Sequence, residues 1–336
     1  MTRLLVLSPA FHDYDAAIGA AFEAIGLDVV THVYDRSATF GAKLRTKLLH
    51  ELPEHLGRST TAARARVADA GAIAALRAVR PDLVLVIKGD VLGDAVWDEI
   101  DALGAPSVLW LYDELRRTRW DAARLDRPGR IASYSALDVV TLRDGGHDAA
   151  HVPLGFDNLL APPAPRRADE VTFIGALYPQ REALLRALDA AGIPVRAYGR
   201  DWSHRLVDRA RTWGRARPAI PTGRDLPRAA AYAVMAGSAA TLNVHGDQDG
   251  FTMRTFEASG AGGVQLCDRA DVADLYAPGE EIVVFDGVED LCAQASVLLV
   301  DPARAARIRR AGRARTLAEH TLVHRARALH DLWETS

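Results

Sequence analysis

Leu83-Val84-Leu85-Val86-Ile87, an unbroken apolar run that ends on Lys88-Gly89-Asp90, decides the fold class. A strand apolar on both faces must be covered on both, which suits a central strand of a parallel sheet better than a half-exposed antiparallel one. Working outward, Leu4-Leu5-Val6-Leu7 is a second such run. The amphipathic stretch Asp15 to Gly26 follows it and ends on glycine, which opens a βαβ unit. Further strands are predicted at Val29 to Tyr34, Val108 to Leu111, Ile131 to Tyr134 and His151-Val152, with helices at Ala62 to Arg80 and Asp94 to Leu103. The topology reads as doubly wound α/β.

Composition shifts at Pro153 to Pro165, where Ala161-Pro162-Pro163-Ala164-Pro165 holds neither a helix nor a central strand, because proline removes donors and fixes φ. A linker is placed there. A second α/β series begins with Val171-Thr172-Phe173-Ile174-Gly175 and continues through strands at Val195 to Tyr198, Ala240 to Val244, Gly263 to Leu266 and Ile282 to Phe285. Helices are predicted at Pro179 to Ala191, Leu226 to Ala236, Phe251 to Ala261, Val288 to Val300, Pro302 to Arg315 and Thr321 to Trp333. The expectation is two Rossmann-like domains, 1–157 and 158–318, with a helix over 319–336 that packs back on the first. Such a pair sets the carboxyl ends of both sheets around an interdomain cleft, where open α/β folds bind ligands, so an enzyme or a clamshell binding protein is expected.

The 336 residues suit two domains of roughly 150 each. Hydrophobic residues make up 49% and charged residues 25%, a globular balance, and 41 Lys+Arg against 44 Asp+Glu give no basic excess to draw nucleic acid. Cys267 and Cys292 lack metal-ligand spacing and are expected as free thiols. Leu4 to Leu7 is too short for a signal core or a membrane span, so a cytoplasmic address is expected.

The densest polar cluster runs from Asn243 through His245-Gly246-Asp247-Gln248-Asp249-Gly250-Phe251-Thr252-Met253-Arg254 to Glu257, between a predicted strand and a predicted helix. A loop closing on Asp249-Gly250-Phe251-Thr252 at a helix start offers unpaired backbone N–H groups and the positive end of the helix dipole, which suits a phosphate or diphosphate. Gly250 lets the chain approach such a ligand. Eight residues separate Asp249 from Glu257, roughly 80° from alignment at 3.6 residues per turn, so both carboxylates can border one ligand. Carboxylates suit vicinal hydroxyls of a ribose or hexose; a helix-start acid and a plain helix-surface acid are the ordinary alternatives.

The order Asp249-Gly250-Phe251-Thr252-x4-Glu257-Ala258, followed by Gly262, resembles the acid-Gly-Phe-Gly-x4-Glu-Ala segment of retaining GT-B glycosyltransferases. More specifically, the chain is similar to the CgeB-like (spore maturation protein) glycosyltransferase family. The likeness is carried by Arg254-Thr255-Phe256-Glu257 with Gly262-Gly263-Val264-Gln265-Leu266, by Leu275-Tyr276-Ala277-Pro278-Gly279-Glu280-Glu281, and by His320-Thr321-x3-Arg325. Phe173-Ile174-Gly175 with Arg181, Tyr198-Gly199-Arg200-Asp201-Trp202 and Val152-Pro153-Leu154-Gly155-Phe156-Asp157 add to it. The resemblance covers about half the chain, mostly the C-terminal half.

What it implies is a hexosyl-type glycosyltransferase of GT-B fold. A nucleotide-diphosphate sugar would be its donor in the C-terminal domain and a small molecule or glycan its acceptor in the N-terminal domain, with no cofactor and no metal. By position, Glu257 would bind ribose hydroxyls and Asp249 would face the donor sugar, although the retaining group usually has glutamate there. Arg181, where the group usually has lysine, and Arg254 would stabilise the leaving diphosphate through charge-assisted bonds. The catalytic set is then Asp249, Arg181, Arg254 and Asp113, and the nucleotide-sugar set Glu257, Gly250, Phe251, Thr252, Met253, Gly175 and Arg200.

In the first half, Lys88-Gly89-Asp90 and Trp110-x-Tyr112-Asp113-Glu114 end predicted strands. Asp113 suits an acceptor base, a hydroxyl anchor or a helix N-cap, and His12 lies in a loop that could shape an acceptor pocket. Asp247-Gln248-Asp249 imitates an Asp-x-Asp metal site, with His245 as a third ligand, but falls in the second of two α/β domains instead of a single nucleotide-binding domain. Two other classes compete: a GT-B epimerase acting on the nucleotide sugar, and a degenerate, non-catalytic nucleotide-sugar-binding protein.

Overall fold

In the computed structural model, residues 1–35, 61–212 and 217–334 are described. The chain divides into two compact units, Met1–Pro153 with Leu322–Ser336, and Leu154–Thr321. Each has its own sheet and its own hydrophobic core.

The first unit contains β1 (Arg3–Ser8), α1 (Tyr14–Glu23), β2 (Asp28–Val33), α2 (Thr61–Val79), β3 (Leu83–Ile87), α3 (Asp94–Leu103), β4 (Ser107–Leu111), β5 (Arg130–Ser133), α4 (Ala136–Asp144) and β6 (Ala149–His151). Its six strands lie parallel in the order β2-β1-β3-β4-β5-β6. The apolar run Leu83–Ile87 is central: Leu85 pairs with Val6 on one side and Val108 on the other. Helix α3 has the predicted bounds and ends at Gly104, whose φ of 63° is the left-handed turn a glycine C-cap supplies.

Helix α4 was not predicted. Ser135 caps it, its hydroxyl accepting the Asp138 N–H at 3.2 Å. Its burial runs against hydropathy, with Leu137 and Val140 exposed and Asp138 buried, so no amphipathic stripe marks it in the sequence.

The second unit contains β7 (Ala168–Ile174), α5 (Pro179–Ala190), β8 (Val195–Tyr198), β9 (Thr222–Gly223), α6 (Arg228–Gly237), β10 (Ser238–Asn243), α7 (Met253–Gly260), β11 (Gln265–Cys267), β12 (Val283–Val284), α8 (Gly287–Val300) and α9 (Pro302–Glu319). Its strands are again all parallel, in the order β12-β11-β10-β7-β8-β9. Val171, Phe173, Leu185, Trp202, Leu242, Leu266 and Leu291 belong to its core. From β7 the chain steps outward to β8, and from β10 it steps the other way to β11. The winding therefore reverses between β7 and β10, the place where doubly wound sheets bind ligands at the carboxyl ends of their strands.

The last helix, α10 (Leu322–Glu334), belongs to the first unit, where Trp333 donates its indole N–H to the Pro106 carbonyl at 3.2 Å and Arg130 bonds the Leu332 carbonyl at 2.6 Å. Both cysteines are free thiols. Among the described residues, no helix is long and apolar enough to cross a membrane.

Candidate functional site

The polar cluster leaves β10 at its carboxyl end, at the reversal point of the second sheet. Helix α7 begins at Met253, not at Phe251 as expected, with Thr252 as N-cap in extended conformation. Asp249 therefore stands outside the helix, and the 80° reckoning that related it to Glu257 does not apply. Gly250 and Phe251 belong to the loop, Thr252 is the cap and Met253 the first helical residue.

Arg181, on the first turn of α5, reaches across the reversal point. Its Nη2 donates to the Val244 carbonyl after β10 at 2.9 Å, and its Nη1 to the Ala176 carbonyl after β7 at 3.3 Å. The guanidinium lies over the rings of Tyr178 and Phe173, with 4.8 and 5.4 Å to the ring centroids. Burial lowers its pKa from the usual arginine value; Tyr178 and Asp268 oppose that shift and the charge of Arg254 adds to it.

Arg254 bonds Glu257 three residues on, Nη1 to Oε2 at 2.5 Å, and the Glu257 side chain is 4% exposed. A buried carboxylate in a protein interior requires a partner, and Arg254 is one. Sequence reasoning gave these two residues separate tasks, the diphosphate and the ribose; the structure makes them one i,i+3 ion pair. Gly175 directly follows β7, its N–H donating to the Tyr198 carbonyl at 3.0 Å and its carbonyl accepting the Trp202 indole N–H at 2.8 Å. Arg200 is exposed beyond β8.

Asp113 lies in the other unit, after β4. Lys88 Nζ sits 3.2 Å from its Oδ2, and its Oδ1 accepts the Glu114 N–H at 3.2 Å. A short 3-10 turn, Leu115–Arg117, follows with Glu114 in the cap position, so Asp113 is not the N-cap that the sequence also allowed. Lys88 has φ of 62° and His12 has φ of 49°, left-handed conformations that non-glycine residues seldom adopt and that cluster at functional loops.

Sequence reasoning missed the residues behind the loop. Asp268, just past β11, accepts the His245 backbone N–H at 3.0 and 3.1 Å and stands 2.7 Å from His245 Nδ1. His245 Nε2 lies 2.9 Å from Thr255 Oγ1 on α7. Asn243 Nδ2 donates to Thr255 Oγ1 at 3.0 Å and to Gln265 Oε1 at 2.9 Å. These partners come from two strand exits and a helix, and the available signal was that Asp268-Arg269 follows a strand at the sheet's carboxyl edge. His245, read as a third ligand of an imitation metal triplet, is instead a hub of this network.

Among the described residues, two groups of three donors converge closely enough to hold an ion: His245, Cys267 and Asp268, and the half-exposed to exposed His330, Asp331 and Glu334. In the first, His245 Nδ1 is hydrogen-bonded to Asp268, and burial pushes the metal-free Cys267 thiol up to about 12. Neither Asp247 nor Asp249 joins either group.

Comparison with known proteins gives a family model over part of the C-terminal half and a shared fold over the whole chain. Residues 180–331 match the family model described as "Glycosyl transferase-like". The whole chain superposes on the crystal structure of HepE from Anabaena in complex with UDP and glucose, with 14% identity, 100% of both chains covered and a TM-score of 0.66. Sucrose-phosphate synthase from Thermosynechococcus elongatus gives 14% identity, 100% and 99% coverage and a TM-score of 0.63. A candidate UDP-N-acetylglucosamine 2-epimerase from Listeria monocytogenes gives 12% identity, 99% and 97% coverage and a TM-score of 0.60. No curated protein matches the chain. The fold is therefore the GT-B type, two Rossmann-like domains, as the two parallel six-stranded sheets require.

Proposed function

We propose that the chain is a glycosyltransferase of the retaining group, CgeB-like in its C-terminal half, which moves a hexosyl-type sugar from a nucleoside diphosphate to a hydroxyl of a small molecule or glycan. One observation carries the reading: Arg181 reaches across the reversal point of the second sheet to the carbonyls after β7 and β10, while Arg254 on α7 pairs with buried Glu257. The Glycosyl transferase-like match over residues 180–331 includes all three, and the complexes of HepE hold UDP and glucose in a protein of the same fold.

In this account the second unit holds the donor. The loop amides from Gly250 to Met253 and the start of α7 bind the diphosphate, with Gly175 and Arg200 on the neighbouring strand exits. Arg181 and Arg254 stabilise the charge that develops as the sugar C1–O bond breaks and its electron pair leaves with the diphosphate. Glu257 takes the ribose hydroxyls, which requires it to share or exchange its bond with Arg254. Asp249 faces the sugar. An acceptor hydroxyl forms the new C1–O bond on the face the diphosphate leaves, as retention requires, and Asp113 anchors or deprotonates that hydroxyl. No metal ion takes part, since the two arginines and the helix-start amides carry its electrostatic task.

Glu257→Ala and Arg181→Ala are each expected to weaken binding of the donor's nucleoside diphosphate by about tenfold or more, the loss of charge-assisted bonds. Isothermal titration with each variant measures this, and wild-type affinity in both would remove the donor site from these residues. Incubating the enzyme with donor alone separates transfer from the epimerase reading that the Listeria monocytogenes neighbour suggests: an epimerised nucleotide sugar without any acceptor would favour the latter.

A further inference from the structure

Lysine occupies only positions 43, 47 and 88, although Lys and Arg together number 41, so Lys88 is not this chain's ordinary cation. None of the roles above uses it. Lys88 directly follows β3 with φ of 62°, and the Gly89 N–H closes back on the Ile87 carbonyl at 2.8 Å. A three-residue turn with positive φ at its centre is the rare, strained form of the γ-turn. It is held from two sides: the Lys88 N–H donates to the Trp110 carbonyl on β4 at 2.9 Å, and the Trp120 indole N–H donates to the Lys88 carbonyl at 2.7 Å.

Among the described residues, four besides glycine have positive φ: His12, Asp13, Arg80 and Lys88. His12 and Asp13 follow β1 and Lys88 follows β3, whereas Arg80 lies at the opposite edge, ahead of β3. From β1 the chain steps outward to β2, and from β3 it steps the other way to β4, so the winding of the first sheet reverses between β1 and β3. Three of the four strained residues thus crowd the carboxyl ends of the two strands where such a sheet takes ligands. From its turn Lys88 reaches the exit of β4, where its Nζ lies 3.2 Å from Asp113 Oδ2 while the Glu114 N–H holds Oδ1 at 3.2 Å. Both side chains are 31% exposed, and the carboxylate keeps acceptor capacity for a hydroxyl. A pair this open adds little to stability and a strained turn subtracts from it, so folding alone does not account for the arrangement.

We propose that Lys88 is a positioning residue, whose ammonium seats the Asp113 carboxylate for the acceptor hydroxyl in sugar transfer. The assignment rests on the acceptor role given to Asp113 above and adds to it what fixes that carboxylate in place. A positioned group acts on the rate of the transfer step and not on the affinity of the donor, because the donor's diphosphate is held by the second unit.

The test measures release of nucleoside diphosphate from uridine, guanosine, thymidine and adenosine diphosphate glucose by the full chain, with water as the acceptor. Glycine takes φ of 62° without strain, so Lys88→Gly removes the side chain and leaves the turn. Lys88→Gly and Asp113→Asn are each expected to lower kcat on the best of these donors by about tenfold or more, with donor KM and diphosphate affinity within about twofold of wild type. The double variant should lose no more than the worse single one, since Lys88 acts through Asp113. A wild-type rate in Lys88→Gly, a loss that falls equally on donor KM, or single losses that multiply in the double variant would each overturn the proposal. Should Lys88→Gly fail to fold, Lys88→Met decides in the same way: a loss confined to kcat supports the role, and a wild-type rate overturns it. A wild type that binds none of the four diphosphates in isothermal titration would overturn the donor reading and this role with it. One that binds a diphosphate but turns over none of the four donors would overturn this role alone.

Discussion

At the scale of the residue, Gly199 shows how closely the second sheet's carboxyl edge is built. Its φ is 153°, and a Cβ there would stand 2.5 Å from the Gly175 carbonyl oxygen and 2.9 Å from the Trp202 ring. Gly199→Ala should therefore destabilise the protein by about 1–3 kcal/mol, since both the conformation and the space exclude a side chain. Urea unfolding measures it, and a change within 0.5 kcal/mol of wild type, as for an ordinary surface site, would show the edge to be looser than described. At this scale the sequence was partly legible. Arg254 and Glu257 are legible through the family resemblance, but as separate residues; that they form one i,i+3 pair on α7 is a finding of the structure. The partner of His245 is 23 residues away on another strand exit, and no local pattern announces a contact made by the winding of a sheet.

At the scale of the element, long apolar or capped segments were readable and segment edges were not. Leu83–Ile87 and Asp94–Leu103 have the predicted bounds because an unbroken apolar run and a terminal glycine are strong local signals. Helix α7 starts two residues later than the sequence suggested; the Gly250 carbonyl, which a helix beginning at Phe251 would offer to the Arg254 N–H, accepts instead from Arg269 at 3.3 Å. Strand β2 carries a consequence for pH. His32 Nε2 is buried with no hydrogen-bond partner, and burial lowers the His32 pKa below its usual value of 6.5. As pH falls through the usual value the unfolded chain takes up the proton before the folded one, so stability is lost on acidification. His151 on β6 is shifted the same way, chiefly by burial, and adds to the trend. The melting temperature should fall between about pH 7.5 and 5.5, and fall less in His32→Gln. Equal slopes for wild type and variant would assign the acid sensitivity elsewhere.

At the scale of the whole molecule, two six-stranded parallel sheets with separate cores follow from two series of apolar runs divided by a proline-rich stretch. The last helix joins the first unit although it follows the second in sequence, through burial of Leu322, Leu329 and Trp333 and the bond from Trp333 to Pro106. The central claim is that the carboxyl edge of the second sheet binds the diphosphate of a nucleotide sugar. Its most direct test is a thermal shift of the purified protein with uridine, guanosine, thymidine and adenosine diphosphates, each with and without EDTA. A ligand at a hundredfold its dissociation constant stabilises the folded state by about 2.7 kcal/mol, enough to raise the melting temperature by a few degrees. The account predicts a rise with one diphosphate that EDTA does not change and that Arg181→Ala abolishes. No rise with any of the four, or a rise that Arg181→Ala leaves intact, would contradict it.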